Sequence, residues 1–385
     1  MDDVSSRGRR EKGRASYPDS CDHIALVLQG GGALGAYQAG VYQALHEARL
    51  WPDSVAGVSI GGINSAIIAG NRPERRLDRL REFWDSVTAG RGWPWLPEGD
   101  DARKLHNIWS SMMTIAFGQP GFFAPCLENA WLSPRGARSA TAFYDSAPLR
   151  DTLLRLVDFD VLNNGEVRYA AGTVNVATGN FAYFDSTKTR IGPEHIMASG
   201  ALPPALPMVP IGTDQFWDGG LVSNTPLQHI IDNPIGDHVL VFQVDLFSAT
   251  GALPRDMPEV MGRLKDIQYS SRTRLVTDYY QRLYEQDRIL KRLLDRLPDD
   301  QLEAEEKAEK QRLMHMSAFT IIQLIYQQAA YEGQAKDYEF SAASMGEHWD
   351  SGYRDTQRTL EHKEWLKVYD ANDGIETFDI HREQE

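Results

Sequence analysis

The stretch Gly57-Val58-Ser59-Ile60-Gly61-Gly62, entered from Ser54-Val55-Ala56 and left through Ile63-Asn64-Ser65-Ala66-Ile67-Ile68-Ala69, reads as a strand that hands over to a helix through one serine. In a turn of the form G-x-S-x-G, glycines two residues to either side remove the side chains that would collide. The serine hydroxyl is thereby lifted clear of the sheet. One helix earlier (Ala36 to Arg49), Gly30-Gly31-Gly32-Ala33-Leu34-Gly35 follows the apolar run Ile24-Ala25-Leu26-Val27-Leu28. Strand, glycine turn, helix, strand, serine turn, helix is the pattern of βαβ units on a parallel sheet. A right-handed crossover puts both turns at the same carboxyl edge, where they can face one cavity.

Farther along, strand-like patterns return at Val167 to Val176, Phe181 to Phe184, His238 to Val244 and Phe319 to Tyr326. Residues 84–150 form a cap region, in which Trp84, Trp93, Trp95, Trp109 and Trp131 stand beside Phe117, Phe122 and Phe123. Two readings of these rings stay open: an apolar lining that receives a fatty substrate or touches a membrane, or rings that pack the cap together. Residues 253–316 are charged and helical by period, with a break at Pro298-Asp299-Asp300. They read as a helical hairpin inserted before a returning core strand, serving as padding or as a self-association surface. Residues 346–385 are expected to form a helical C-terminal extension, and residues 1–20 a disordered leader.

A serine hydroxyl is a poor nucleophile until a neighbouring base takes its proton. The best candidate base is Asp218, in Phe216-Trp217-Asp218-Gly219-Gly220-Leu221-Val222-Ser223-Asn224-Thr225-Pro226, where Gly219 and Gly220 let the backbone turn tightly beside the acid. Partial desolvation beside Trp217 would raise its pKa toward that of a useful base. The amides of Gly30, Gly31 and Gly32 can close on a developing oxyanion, helped by the positive end of the following helix. Gly57 and Gly61 support the elbow. A histidine triad has candidates by chain order in His229, His238, His315 and His348, but none sits in a glycine-framed loop, and the two-residue Ser59-Asp218 device is preferred. No metal and no cofactor is called for.

At 385 residues and 42% hydrophobic content the chain can bury a large core. A formal charge of -14 argues against nucleic-acid partners and against average attraction to anionic membranes. The two cysteines, Cys21 and Cys126, supply no disulfide framework and point to a reducing, cytoplasmic setting. Fewer than 18 apolar residues run together anywhere, so contact with lipid is expected to be peripheral.

Residues 24–70 and 194–227 resemble patatin-like phospholipases, which share a Gly-rich oxyanion loop, a G-x-S-x-G elbow and a later D-G-G or D-G-A. Met197-Ala198-Ser199-Gly200-Ala201-Leu202-Pro203-Pro204 and Asn224-x-Pro226 are similar to that family too. The resemblance implies a three-layer α/β fold with a mainly parallel central sheet over residues 21–345, and a Ser-Asp dyad at Ser59 and Asp218 cleaving carboxylic esters of lipids through an acyl-enzyme. The region beyond about 250 looks like an extension found in one bacterial branch. One departure is Leu34, where many relatives carry arginine or lysine, which weakens any expectation of phosphate recognition. Within the same chemistry, a polyester or oligo-hydroxyalkanoate esterase is the alternative. Gly30-x-Gly32-x-x-Gly35 also fits a dinucleotide-binding fingerprint, yet the second strand ends at Val58-Ser59 rather than at the acid an oxidoreductase needs for the ribose. A lipid-binding protein with a disused elbow is the non-enzymatic rival.

Overall fold

A computed structural model describes residues 21–88, 99–314, 316–329, 331–366 and 374–380. The expected leader, Trp93, Trp95 and His315 lie outside the described residues. The opening follows the predicted alternation: β1 (His23–Leu28), α1 (Gly35–Glu47), β2 (Ser54–Val58) and α2 (Ile60–Ala69). Every residue of β1, β2 and α2 is buried, as the unbroken apolar and small-residue runs demand of elements covered on all sides. Then come α3 (Pro73–Thr88), α4 (Asp100–Phe117), the short antiparallel pair β3 (Ala124–Pro125) and β4 (Tyr144–Asp145), α5 (Ala147–Leu156) and α6 (Phe159–Asn164). The chain continues through β5 (Arg168–Asn175), β6 (Phe181–Asp185), α7 (Pro193–Ser199), β7 (Val209–Ile211), β8 (Asp214–Asp218), α8 (Leu227–Asp232) and β9 (His238–Asp245). It ends with α9 (Met257–Leu294), α10 (Ala304–Met314), β10 (Ala318–Ile325), α11 (Ala342–Glu361) and β11 (Ile375–Asp379).

Nine strands form one sheet in the order β11-β10-β9-β1-β2-β5-β8-β7, with β6 also paired to β5. From β11 to β5 all neighbours are parallel; β6, β7 and β8 add antiparallel ladders. Alternate residues of β1 enter opposite layers, as a strand's two-residue period requires. Ile24, Leu26 and Leu28 pack with Tyr37, Ile63 and Trp84 beneath α1, α2 and α3. Ala25 and Val27 pack with Leu227, Ile230 and Tyr280 beneath α8 and α9. Helix, sheet and helix layers follow, as the resemblance implies.

The helical hairpin appears as α9 and α10, broken near Pro298. The last segment departs from its expected purely helical character, because β11 adds a parallel edge strand to β10. Its helix α11 is bound to the first helix of the chain. At their crossing, a β-carbon on Gly40 would stand 1.9 Å from the Trp349 carbonyl and one on Gly352 2.0 Å from that of Tyr37, so the two backbones touch. Hydrogen bonds from Tyr37 to Asp355 (3.0 Å) and from Trp349 to Gln43 (2.7 Å) pin the pair.

One local arrangement decides the active site. On one edge of β5, β2 pairs as far as Val58 with Gly172, and β8 takes over at the next residue, Asp218 with Thr173. The other edge is occupied there by β6, with Tyr183 against Gly172 and Ala182 against Thr173. The residue leaving β2, Ser59, and the last residue of β8, Asp218, are therefore brought side by side by consecutive residues of a third strand.

Candidate active site

Ser59 has φ 56° and ψ -126°, a left-handed conformation that costs a side-chain-bearing residue energy and marks the elbow. Its flanking glycines are there for space. A β-carbon on Gly57 would lie 2.2 Å from the Gly61 carbonyl carbon and oxygen, and one on Gly61 2.2 Å from the Leu28 carbonyl oxygen. Behind the elbow, the Ser59 N–H donates to the Ser199 carbonyl (3.0 Å) and hydroxyl (3.1 Å), while the Ser199 hydroxyl donates to the Gly172 carbonyl (2.8 Å). Ser199 lies in the Met197-to-Pro204 stretch that the resemblance had noted without giving it a task.

Asp218 is buried, at 1% exposure, and lines the same cavity as Ser59. Burial pushes its carboxyl from the usual 3.8 up to about 7, against the opposing pull of the Gly220 N–H (2.7 Å) and the Ser59 hydroxyl. The cause is the expected one, desolvation. Gly219 is pressed onto the Gly172 carbonyl, which fixes the turn after the acid.

The glycine loop lies on the same cavity as Ser59 and Asp218. The three amides do not share one role, for the Gly30 N–H donates to the Asn224 carbonyl (3.2 Å). Asn224 also donates through Nδ2 to the Gly30 carbonyl (3.0 Å), clamping the loop to the D-G-G segment. Gly31 and Gly32 are thus the members left to face an oxyanion. Gly32 has φ 55°, and a β-carbon there would stand 2.2 Å from the carbonyl oxygen of Asp337.

Gln29 was not singled out by sequence, although it immediately precedes the glycines. Fully buried, it accepts from the N–H groups of Leu246 (2.6 Å) and Phe247 (3.0 Å) and donates to Thr225 (3.0 Å) and to the Tyr269 carbonyl (3.2 Å). One amide side chain thereby joins the glycine loop, the end of β9 and α9. An amide following an apolar strand carries no local signal of such a task.

The cavity encloses about 870 Å³ of atom-free space including its open mouth. The cap contributes Ile115, Phe122, Phe123 and Tyr144; the far end of the chain contributes Tyr269, Asp337, Tyr338 and Phe340. The cap tryptophans divide differently. Trp84 is buried in the core on Asn64 (3.2 Å), while Trp109 and Trp131 are exposed, so phenylalanines and tyrosines line the cavity instead. Padding fails to describe the helical insertion, because Tyr269 of α9 lines the cavity and Lys265 pairs with Asp337 (2.7 Å) at its wall. Burial raises the Asp337 carboxyl, and Lys265 offsets part of that. Leu34, at the position where relatives carry a cation, is wholly buried.

Among the described residues no histidine lines the cavity. His229 is held by Asp185 (2.9 Å), His348 by Glu332 (2.7 Å) and His238 by Asp22 (3.7 Å).

A family model described as patatin-like phospholipase matches residues 26–231, more than half of the chain, and one described as patatin phospholipase matches residues 267–372. The chain belongs to the patatin-like phospholipase family. Within this family it is 26% identical over 233 residues to "Lysophospholipase NTE1" of Cryptococcus neoformans, covering 60% of this chain and 12% of that one. It is 46% identical over 67 residues to "Patatin-like phospholipase domain-containing protein 6" of Homo sapiens, covering 17% of this chain and 5% of the relative. The chain therefore spans a small part of the length of these two relatives. Among solved structures it is similar to VipD from Legionella pneumophila, with a TM-score of 0.42 and 15% identity over 90% of this chain and 70% of that one.

Proposed function

We propose that this chain hydrolyses carboxylic esters of lipids through an acyl-enzyme on Ser59. The observation that carries the reading is the meeting on one cavity of Ser59, held at a left-handed φ, and a buried carboxyl pushed up to about 7, beside the glycine loop. Ser59 Oγ attacks the ester carbonyl while Asp218 takes its proton. The N–H groups of Gly31 and Gly32 receive the oxyanion, and Asp218 then protonates the departing alcohol. In deacylation water enters where the alcohol left and attacks the acyl carbonyl as Asp218 takes its proton; the bond to Ser59 Oγ breaks, Asp218 returns the proton to that oxygen, and the carboxylic acid leaves.

The largely apolar cavity supports an acyl chain as the bound part of the substrate, and the names of the relatives support a phospholipid or lysophospholipid source. Peripheral contact with lipid through the cap belongs to the same reading. Among the described residues no helix is long and apolar enough to cross a membrane. Exposed Met257, Met261 and Leu264 on α9 make the helical insertion the surface for self-association, which sedimentation of the Met261→Glu variant would test.

The test of catalysis uses aryl esters of rising chain length, followed by phospholipid, galactolipid and hydroxybutyrate oligomers, together with labelling by a fluorophosphonate. Ser59→Ala and Asp218→Asn each abolish turnover, by up to about a millionfold, with the fold intact. Turnover retained by either variant removes that residue from the mechanism.

A further inference from the structure

Helix α4 is turned inside out. Its buried side carries Arg103, His106, Asn107, Ser110, Ser111 and Thr114. Arg103 reaches Glu347 (2.6 Å), so the polar side is docked on the C-terminal region rather than wetted. Its outer side carries Leu105, Ile108, Trp109, Met112 and Ile115, each 51–69% exposed. These recur at intervals of three and four along much of the helix and form one stripe, the reverse of the pattern a water-facing helix adopts. Beyond Lys104 no exposed residue of α4 is charged.

The stripe runs into the catalytic opening. Ile115 belongs to it and also lines the Ser59 cavity, and Tyr144, another lining residue, donates to the Ile115 carbonyl (2.6 Å). We propose that this face of α4 seats on the surface of a zwitterionic phospholipid bilayer, with the helix lying in the interface and the cavity mouth turned to the lipid. The proposal rests on the reading of that cavity as a lipid-ester site. Lipid is favoured over a second copy because a protein seated on the stripe would cover the entrance its substrate needs. A bulky apolar face bearing a tryptophan, opposite a polar one, is suited to the boundary between headgroups and acyl chains. The net charge of -14 and the stripe's lack of cations select neutral over anionic lipid.

The experiment measures co-sedimentation of the Ser59→Ala chain with phosphatidylcholine vesicles, so that binding is read without turnover. Replacing Ile108 and Met112 together by aspartate should lower partitioning at least tenfold, with little dependence on salt. The same pair in the Ser59-intact chain should leave hydrolysis of a water-soluble short-chain aryl ester unchanged. Serine at both positions, checked by thermal melting, repeats the test should the aspartates unfold the cap. Equal sedimentation of folded parent and variant overturns the proposal. So does binding confined to phosphatidylserine vesicles, or a parent dimer that the substitutions split while neither form sediments. Failure of the ester-hydrolysis reading is distinct, since it shows as no turnover of the soluble ester whatever the vesicles bind.

Discussion

Asp218 carries opposite demands on one side chain. Buried away from water, its carboxyl prefers the proton, whereas the proposed mechanism needs it ionised for Ser59 to lose one. With the folded pKa at about 7, kcat/KM for a neutral ester should rise with pH through about 7 and level off above it, as a pH-rate profile would record. The same shift acts on stability. Because the folded state binds this proton more tightly than the unfolded chain, the cost of ionising Asp218 grows between pH 3.8 and about 7 and is complete above that. Asp218→Asn should therefore raise the melting temperature at pH 8 while removing turnover, by an amount worth a few kcal/mol at most. The turns that carry Ser59, Asp218 and the glycines were legible in the sequence because each answers to a local rule of turns. Gln29 and the helper role of Ser199 were not, since what they do depends on partners distant in the chain.

At the scale of elements, α11 is held by a buried His348-Glu332 pair as well as by its crossing with α1. Burial disfavours the charge on His348, but the charge and hydrogen bond of Glu332 outweigh it and lift the imidazole above its usual 6.5; Glu332 is lowered below its usual 4.5 despite burial. A raised histidine contributes stability that is full below 6.5 and is lost as pH rises through the folded value, whereas the lowered glutamate's contribution is lost on acidification below 4.5. Amide exchange of α11 should thus speed up on both sides of that window, and His348→Gln should flatten the alkaline limb. β1, β2, β5, β6, β9, β10 and the break in the helical insertion could be read from apolar and β-branched runs and from Pro298, whereas the short β3, β4, β7 and β8 could not. The cap could not, because the reversed polarity of α4 satisfies no rule for a helix facing water. Nor was β11 foreseen, a short edge strand with little internal pattern.

The whole molecule places residues from three distant parts of the chain around one cavity. The glycine loop comes from near the start, Asp218 from the middle, and Asp337 and Tyr338 from a segment that the first 250 residues do not contain. Covering of Gly32 by the Asp337 carbonyl makes Gly32→Ala incompatible with the present packing, and displacement of that amide should lower kcat by about 100- to 1000-fold with the global melt little changed. Gly352→Val belongs to the other class. A side chain forced between α1 and α11 should lower global stability by about 3 kcal/mol or more, measured by urea unfolding, because two backbones must part. The parallel sheet was legible from the order of strands and glycine turns, and its three layers followed from the family resemblance, but the packing of the last third of the chain on the glycine loop was not, since a carbonyl–glycine approach leaves no trace in composition.

The meeting of β2 and β8 on one edge of β5 has a consequence for tolerance to change. Val58, which leads into Ser59, and Asp218 pair with neighbouring residues, Gly172 and Thr173, one step of about 3.3 Å along the strand. Loops between residues 59 and 218 can lengthen or shorten without altering that interval. One residue inserted at that step would push the carboxylate out of reach and turn it to the opposite face of the sheet, leaving a sound scaffold with a silent serine.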